Sequence, residues 1–510
     1  MSQISTQEAL HIAIQHHQAG RLAEAESIYK QVLAVRPNDP DALNCLGMLA
    51  HQVGQNQLAV QYIRQAIIVR PSEPSYFNNL GLALMGLGQT QAAIEAYQNA
   101  IRLKPDFVEA SNNLGNAFNT LQQYPQAMAA FGTAIKLNPR FAQPHYNLGC
   151  ALKAQGLLDD AVSAFRTALK IKPDLIEAYN NLGAVLNDQS KAPEAIGIYR
   201  TALQMKPDMA ELHTNLGNSF KALHQYPDAI SAYRRAIELK PDAIEAHNNL
   251  ANILLDQGRI EESIAILRAV LKFAPQAGAV HSNLIYDLHY RHDTHARELR
   301  DELAQWNRLY AAPLKESIEP HSNTRDPDKK LKIGYVSPDF RAHVVGWNLL
   351  PLLKRQTRQN MEIFCYSGVV NPDEWTGQIK SSCHSWRSIV GLSDQRVAQM
   401  IREDQIDILV DLVLHTADNH LLVFAYKPAP VQVTWLGYPG TSGFDAMDYR
   451  FSDPYLDPPQ SDLTIYSEQT VRLPQTYWCY QPAGKVPQAA TLPALSAGYI
   501  TFGCLNNFAK

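Results

Sequence analysis

Apolar positions recur at helical spacing through the first half of the chain. Leu80, Leu84 and Leu87 stand three or four residues apart, which puts their side chains on one face of a helix. A longer period lies over this one. Pro37, Pro71, Pro105, Pro139, Pro173, Pro207, Pro241 and Pro275 are each 34 residues apart, usually in a setting such as "LKPD" or "VRPN". Self-similarity at that period marks stacked supersecondary units. Within a unit, an Asn-Leu-Gly run is followed by a turn, often with glycine, and then by an alanine, a bulky residue and a small one. In the third unit these are Leu80, Gly81, Gly88, Ala93, Tyr97, Ala100 and Pro105.

This pattern resembles the tetratricopeptide repeat, a family of paired antiparallel helices. The residues suit that arrangement. Gly81 and Ala93 leave room for two helices to approach, Tyr97 fills the space between them, and Pro105 stops the second helix. Eight full units are expected over residues 6 to 275, with a ninth first helix near 281–291. Each unit hides its apolar stripe against the next, so the expected product is an α-solenoid over residues 6–291 with a long concave face.

One polar position repeats as faithfully as the apolar ones. Asn79, Asn113, Asn147, Asn181, Asn215, Asn249 and Asn283 precede the core leucine in seven successive units, and helix propensity does not account for them. Two readings stand side by side. The asparagines form a ladder whose amides bind the backbone of an extended polypeptide, or they serve hydrogen bonds between repeats.

After Pro275 the ruler stops. A helical stretch is expected over 293–314 and a polar linker over 315–330, together a connection spanning 292–330. From there apolar strands alternate with amphipathic helices. Strands are expected at 332–337, 362–367, 407–413, 431–437 and 469–474, with helices around Trp347 to Gln356 and over 393–404. Strands separated by helices imply a parallel sheet with right-handed crossovers, hence an α/β Rossmann-like lobe over 331–490.

Composition narrows the function classes. With 46% hydrophobic and 18% charged residues and a net charge of −4, the chain reads as globular, with no basic surface to attract nucleic acid or anionic lipid. Its six cysteines are scattered without a CxxC pair, which argues against a disulfide framework or zinc site and fits a reducing compartment. No apolar run approaches the roughly 18 residues of a membrane helix, and the first twenty residues lack a signal-peptide pattern. A cytoplasmic protein is the expectation.

Ligand loops of parallel sheets lie at the carboxyl ends of strands. "SPDFRAHVVGWN" follows the first strand and carries His343 just before a helix, where helix-terminal N–H groups favour an anion and a neutral imidazole. "HTADNH" follows the third expected strand, and the five-residue spacing of His415 and His420 does not match a helical metal pair; no metal site is read. "GYPGTSG", residues 437–443, is a glycine-bearing turn whose backbone is able to approach a ligand, although it is not a dinucleotide fingerprint. Taken singly, each has an ordinary structural explanation.

Repeats followed by "KIGYVSPDFRAH", "DILVDL", "KPAPVQVTWLGYPGTSGFDAMDYRFSDP" and "FGCLNNFAK" resemble the protein O-GlcNAc transferases and their SPINDLY relatives. The resemblance implies the first half of a GT-B glycosyltransferase, with a sugar nucleotide between two Rossmann-like lobes. It implies transfer of N-acetylglucosamine from UDP-GlcNAc, or in SPINDLY relatives of fucose from GDP, to serine or threonine hydroxyls. It also implies inversion at the sugar without metal or other cofactor, and polypeptide substrates presented along the asparagine ladder. By motif, His343 matches the histidine near the reacting centre, a base or acceptor-positioning group. Lys510, and with it Asn507, matches the segment that binds the donor diphosphate, where an ammonium stabilises charge on the leaving group; without the motif, Lys510 reads as a solvated charge.

The chain also departs from that pattern. Where many bacterial relatives read HxxGH, Trp347 replaces the second histidine, and Leu414, Asp418 and His420 differ from the family's DLxGHTAGNR; these changes put acceptor geometry in doubt. Residues 498–510 read as the opening of a truncated second lobe, with the expectation that residues 1–510 alone neither bind UDP-GlcNAc tightly nor transfer sugar. The alternative is a non-catalytic scaffold whose repeats recognise peptides.

Overall fold

A computed structural model describes residues 5–292, 294–355 and 360–479. Lys510, Asn507 and the expected second-lobe segment 498–510 lie outside the described residues. Two compact units divide the chain, Met1–Lys240 and Pro241–Lys510.

The first unit holds seven helical hairpins. They are α1 (Thr6–Gln18) with α2 (Leu22–Val35), α3 (Pro40–Gln52) with α4 (Asn56–Val69), α5 (Pro74–Gly86) with α6 (Thr90–Leu103), and α7 (Val108–Thr120) with α8 (Tyr124–Leu137). The series continues with α9 (Ala142–Ala154) and α10 (Leu158–Ile171), α11 (Ile176–Asp188) and α12 (Ala192–Met205), and α13 (Ala210–Ala222) and α14 (Tyr226–Leu239). The period explains the packing. A Cβ on Gly81 would stand 2.4 Å from the Tyr97 ring, and the same clash recurs at Gly115 with Phe131, Gly149 with Phe165, Gly183 with Tyr199 and Gly217 with Tyr233. Each glycine is therefore the socket for the bulky residue sixteen positions later, which is fully buried in all five hairpins.

The turn between the paired helices needs one left-handed residue. Glycine supplies it at Gly54, Gly88 and Gly156, whereas Gln122, Ser190 and His224 adopt φ of 57°, 60° and 56° at the equivalent positions.

In the second unit the repeat pattern runs through α15 (Ile244–Asp256), α16 (Ile260–Phe273) and α17 (Gly278–Leu288). Here Ala251 replaces the socket glycine and Leu267 the aromatic ring, both buried in one cluster. Next comes α18 (Ala296–Trp306), extended by a π turn at Asn307–Ala311 and a 3-10 turn at Ala312–Ser317. The single helix expected over 293–314 is thus shorter and changes pitch before Pro313, which cannot donate a helical hydrogen bond.

The sheet contains β1 (Leu331–Ser337), β2 (Met361–Ser367), β3 (Ser385–Ser388), β4 (Ile408–Asp411), β5 (Val431–Thr434), β6 (Tyr449–Ser452) and β7 (Gln469–Arg472). All pairings are parallel, in the order β3-β2-β1-β4-β5-β6-β7. Helices α19 (Val344–Arg355), α20 (Glu374–Ser382), α21 (Asp394–Glu403) and α22 (Leu421–Ala425) lie in the connections. Alternation along the strands builds two cores. Tyr335, Cys365 and Val410 join one with Leu349 and Leu353 of α19. Their neighbours Val336, Tyr366 and Leu409 join the other with Ile401, Phe424 and the α18 residues Leu303 and Trp306. Within residues 292–330, α18 thus contributes Leu303 and Trp306 to the core under the sheet.

Candidate active site

Strand order reverses between β1 and β4, and the crevice at such a point is where open α/β sheets bind ligands. The loops after β1, β4 and β5 meet there. After β1, Ser337 Oγ accepts the Asp339 N–H at 2.9 Å, and Asp373 accepts the Ala342 N–H at 2.7 Å while capping α20. The chain turns into α19 at His343, whose side chain is 44% exposed. Its Nδ1 accepts the Val345 N–H at 3.3 Å and lies 3.6 Å from Asp339 Oδ2. Accepting that N–H leaves the ring proton on Nε2, so in this arrangement Nε2 is a hydrogen-bond donor.

The β4 loop is organised by a residue that the sequence pattern did not single out. Asp411 ends β4, is buried, and accepts N–H groups from Val413 at 3.2 Å and Leu414 at 3.0 Å and the Thr434 hydroxyl at 2.9 Å. Burial pushes its carboxyl up to about 6, against those hydrogen bonds. Leu414 and Leu436 sit at φ of 52° and 70°, and a Cβ on Gly437 would lie 2.6 Å from the Val413 carbonyl carbon. Left-handed non-glycine residues at the ends of two adjacent strands are the kind of stored strain found at ligand sites.

The two histidines of "HTADNH" go separate ways. His415 is fully buried between Ser282 Oγ at 3.1 Å and the Ser442 carbonyl at 2.9 Å. His420 Nδ1 lies 3.4 Å from Asp394 Oδ1, with Nε2 beside Gly368. They share no ligand position.

Residues 437–443 are anchored from behind. Buried Glu468 accepts the Thr441 hydroxyl and the Ser442 N–H, each at 2.6 Å. Arg450, also buried, donates to the Gly440 carbonyl at 3.2 Å, pairs with Asp457 at 2.8 Å and stacks on the Tyr466 ring. The roles of Glu468 and Arg450 were not singled out in the sequence, because folding brings their partners to them.

All seven repeat asparagines are half-buried. The Nδ2 groups of Asn79, Asn113 and Asn147 donate to Asn44, Asn78 and Asn112 at 2.9–3.0 Å, and Asn215 donates to Asn180 at 2.8 Å. Asn181 reaches the Tyr146 hydroxyl at 3.1 Å, and in the second unit Asn283 reaches Asn248 at 2.7 Å. Each bond spans 35 residues, so inter-repeat bonding is present in the structure; within their own helices Asn147 Oδ1 also accepts from Gln143 Nε2 and Asn181 Nδ2 also donates to the Glu177 carbonyl, each at 3.0 Å.

Residues 277–486 match the family description Glycosyl transferase family 41, and tetratricopeptide descriptions match 13–74, 83–190, 174–242 and 214–278. The family 41 match thus starts at α17 and includes α18. SPINDLY of Petunia hybrida, named as a probable UDP-N-acetylglucosamine–peptide N-acetylglucosaminyltransferase, is 42% identical over 192 residues, 37% of this chain and 20% of that protein. The SEC protein of Arabidopsis thaliana, similarly named, is 36% identical over 151 residues, 29% of this chain and 15% of its own. A solved mutant of the Thermobaculum terrenum O-GlcNAc transferase is 34% identical with a TM-score of 0.56, covering 61% of this chain and 60% of that one. The matched region is about a fifth of the length of the SPINDLY relatives. Tetratricopeptide repeats run up to α17 and a region matching Glycosyl transferase family 41 follows, so the chain is similar to the protein O-GlcNAc transferases and the SPINDLY proteins.

Proposed function

We infer that the protein is a protein O-glycosyltransferase, which moves N-acetylglucosamine from UDP-GlcNAc to serine or threonine hydroxyls of a polypeptide held by the repeats. One observation carries this reading. The region matching glycosyl transferase family 41 begins on a repeat helix, α17, that shares a compact unit with the parallel sheet, so the last repeat asparagine and the elements assigned to transfer belong to the same unit. The names of the relatives over that region support the chemistry. In this reading the partners are a polypeptide and a sugar nucleotide, with no nucleic acid and no membrane, and no metal or other cofactor takes part.

His343 suits the acceptor side. An Nε2–H in the β1 loop orients an acceptor hydroxyl or a donor oxygen; in the other tautomer, with the proton on Nδ1 and donated as a hydrogen bond to Asp339, Nε2 is a base. On the donor side the reading rests on resemblance, with Lys510 and Asn507 against the diphosphate, where fixed positive charge favours the leaving group.

The test is transfer to a serine- and threonine-rich polypeptide by protein produced from its own locus, offered UDP-GlcNAc and GDP-fucose separately and read by acceptor mass. Product from UDP-GlcNAc is expected, and His343→Ala is expected to lower kcat by about 100-fold or more. Product from GDP-fucose alone changes the sugar assignment; no product from either donor refutes the reading.

A further inference from the structure

Ser282 and Asn283 are consecutive residues of α17 with different partners. Asn283, the last repeat asparagine, donates to Asn248 on α15 at 2.7 Å. Ser282 bonds through Oγ to His415 Nδ1 at 3.1 Å, and His415 Nε2 bonds the Ser442 carbonyl at 2.9 Å inside the 437–443 loop. A carbonyl only accepts, so Nε2 carries the proton and Nδ1 accepts from the Ser282 hydroxyl. The ring is fully buried and stands edge-on to Trp306 of α18, with centroids 4.9 Å apart at 88°. On its other side the same loop is fastened to Glu468, and Gly443, at φ 78°, packs so closely on Leu303 that a Cβ would come within 2.7 Å of that side chain.

We propose that His415 is a positioning residue that fixes the Gly437–Gly443 loop to the helix bearing the last repeat asparagine, so that the acceptor polypeptide and the loop are held in one register. The proposal rests on the reading of the loop and the asparagines given above. A residue needed only for volume does not require this chemistry. Phenylalanine fills such a space without the cost of burying two ring nitrogens, whereas His415 spends both nitrogens on partners 133 residues before it and 27 after it. The neighbouring backbone makes the same point: Leu414 and Leu436 hold left-handed conformations, which persist only where the surroundings impose them.

The experiment is amide hydrogen exchange on the full chain, comparing wild type with His415→Phe, His415→Gln and Ser282→Ala. The loop amides of His415→Phe are expected to exchange about tenfold faster or more while those of β1 and β2 stay within about twofold. His415→Gln, which keeps a donor toward Ser442, is expected to recover most of that protection, and Ser282→Ala to fall between. Loop exchange unchanged in His415→Phe, or raised equally throughout the sheet, overturns the proposal. Nitrogen-15 spectra of histidine-labelled wild type give a second readout that needs no variant. The expected signature is an Nε2–H tautomer that stays neutral from pH 8 to pH 5, and an imidazole that titrates near the ordinary value of about 6.5 overturns the proposal. No sugar nucleotide enters either measurement, so a failure here is separable from a failure of the transferase reading.

Discussion

Ser190 occupies a turn position that glycine fills in several other repeats, and its φ is 60°. A left-handed L-residue costs roughly 1–2 kcal/mol, partly offset by the extra chain entropy that glycine loses. Ser190→Gly is therefore expected to stabilise the first unit by about 0.5–1 kcal/mol in urea titrations, and a loss of stability contradicts that account of the turn. His415 makes a second residue-scale prediction. Burial, with His289 and His281 nearby, lowers its pKa from 6.5 to about 3. The folded chain then refuses a proton that the unfolded chain accepts, so this contribution is complete above the unfolded value and is lost as pH falls toward the folded one. Asp411 and Asp287 act the other way, since burial raises their carboxyls to about 6 and about 7. Glu468 and Tyr438 also lie in this region. Comparison with a variant isolates the histidine: between pH 7 and pH 5, wild type is expected to lose about 2 kcal/mol more than His415→Phe. Equal losses in the two proteins contradict a neutral buried imidazole. None of this was legible in "HTADNH", because the residues that define His415 are brought to it by folding.

Among the elements, what the pattern foretold and what it missed have physical causes. The repeat helices were legible because sockets and bulky residues recur at 34-residue intervals, and β1, β2 and β5 because their apolar runs are long or dense. β3 and β6, with the sequences SWRS and YRFS, escaped notice: four residues of mixed polarity become strands only through their neighbours, as when Cys365 pairs with Trp386 and Val433 with Tyr449. Expected strands over 407–413 and 431–437 stop at Asp411 and Thr434, where buried side chains redirect the backbone into loops. The asparagine series needs a test that separates its two uses. Alanine at 147, 181 and 215 together is expected to weaken binding of an extended polypeptide by about tenfold or more, from the loss of hydrogen bonds worth roughly 0.5–1.5 kcal/mol each. Alanine at Asn112 and Asn180 removes inter-repeat partners but keeps the ladder amides, and is expected to lower stability with little change in affinity. Fluorescence anisotropy and urea titration measure the two effects. Equal affinity in wild type and the triple variant rules out the ladder.

For the whole molecule, the period along the sequence made the repeats plain but gave no sign of where one compact unit yields to the next. The eighth repeat looks like the seventh in sequence, yet the division falls at Lys240 and Pro241. From there α15 to α18 belong with the sheet: Leu303 and Trp306 complete its core, and Ser282 reaches its β4 loop through His415. In the proposed reading, the last repeat helix stands in one unit with the sheet assigned to sugar transfer, and that is the central claim. The most direct measurement is transfer from UDP-GlcNAc to a serine- and threonine-rich polypeptide by protein produced from its own locus, alongside His343→Ala. The account predicts glycosylated acceptor with wild type and about 100-fold less with the variant; polypeptide that binds the repeats yet acquires no sugar from any nucleotide donor contradicts it.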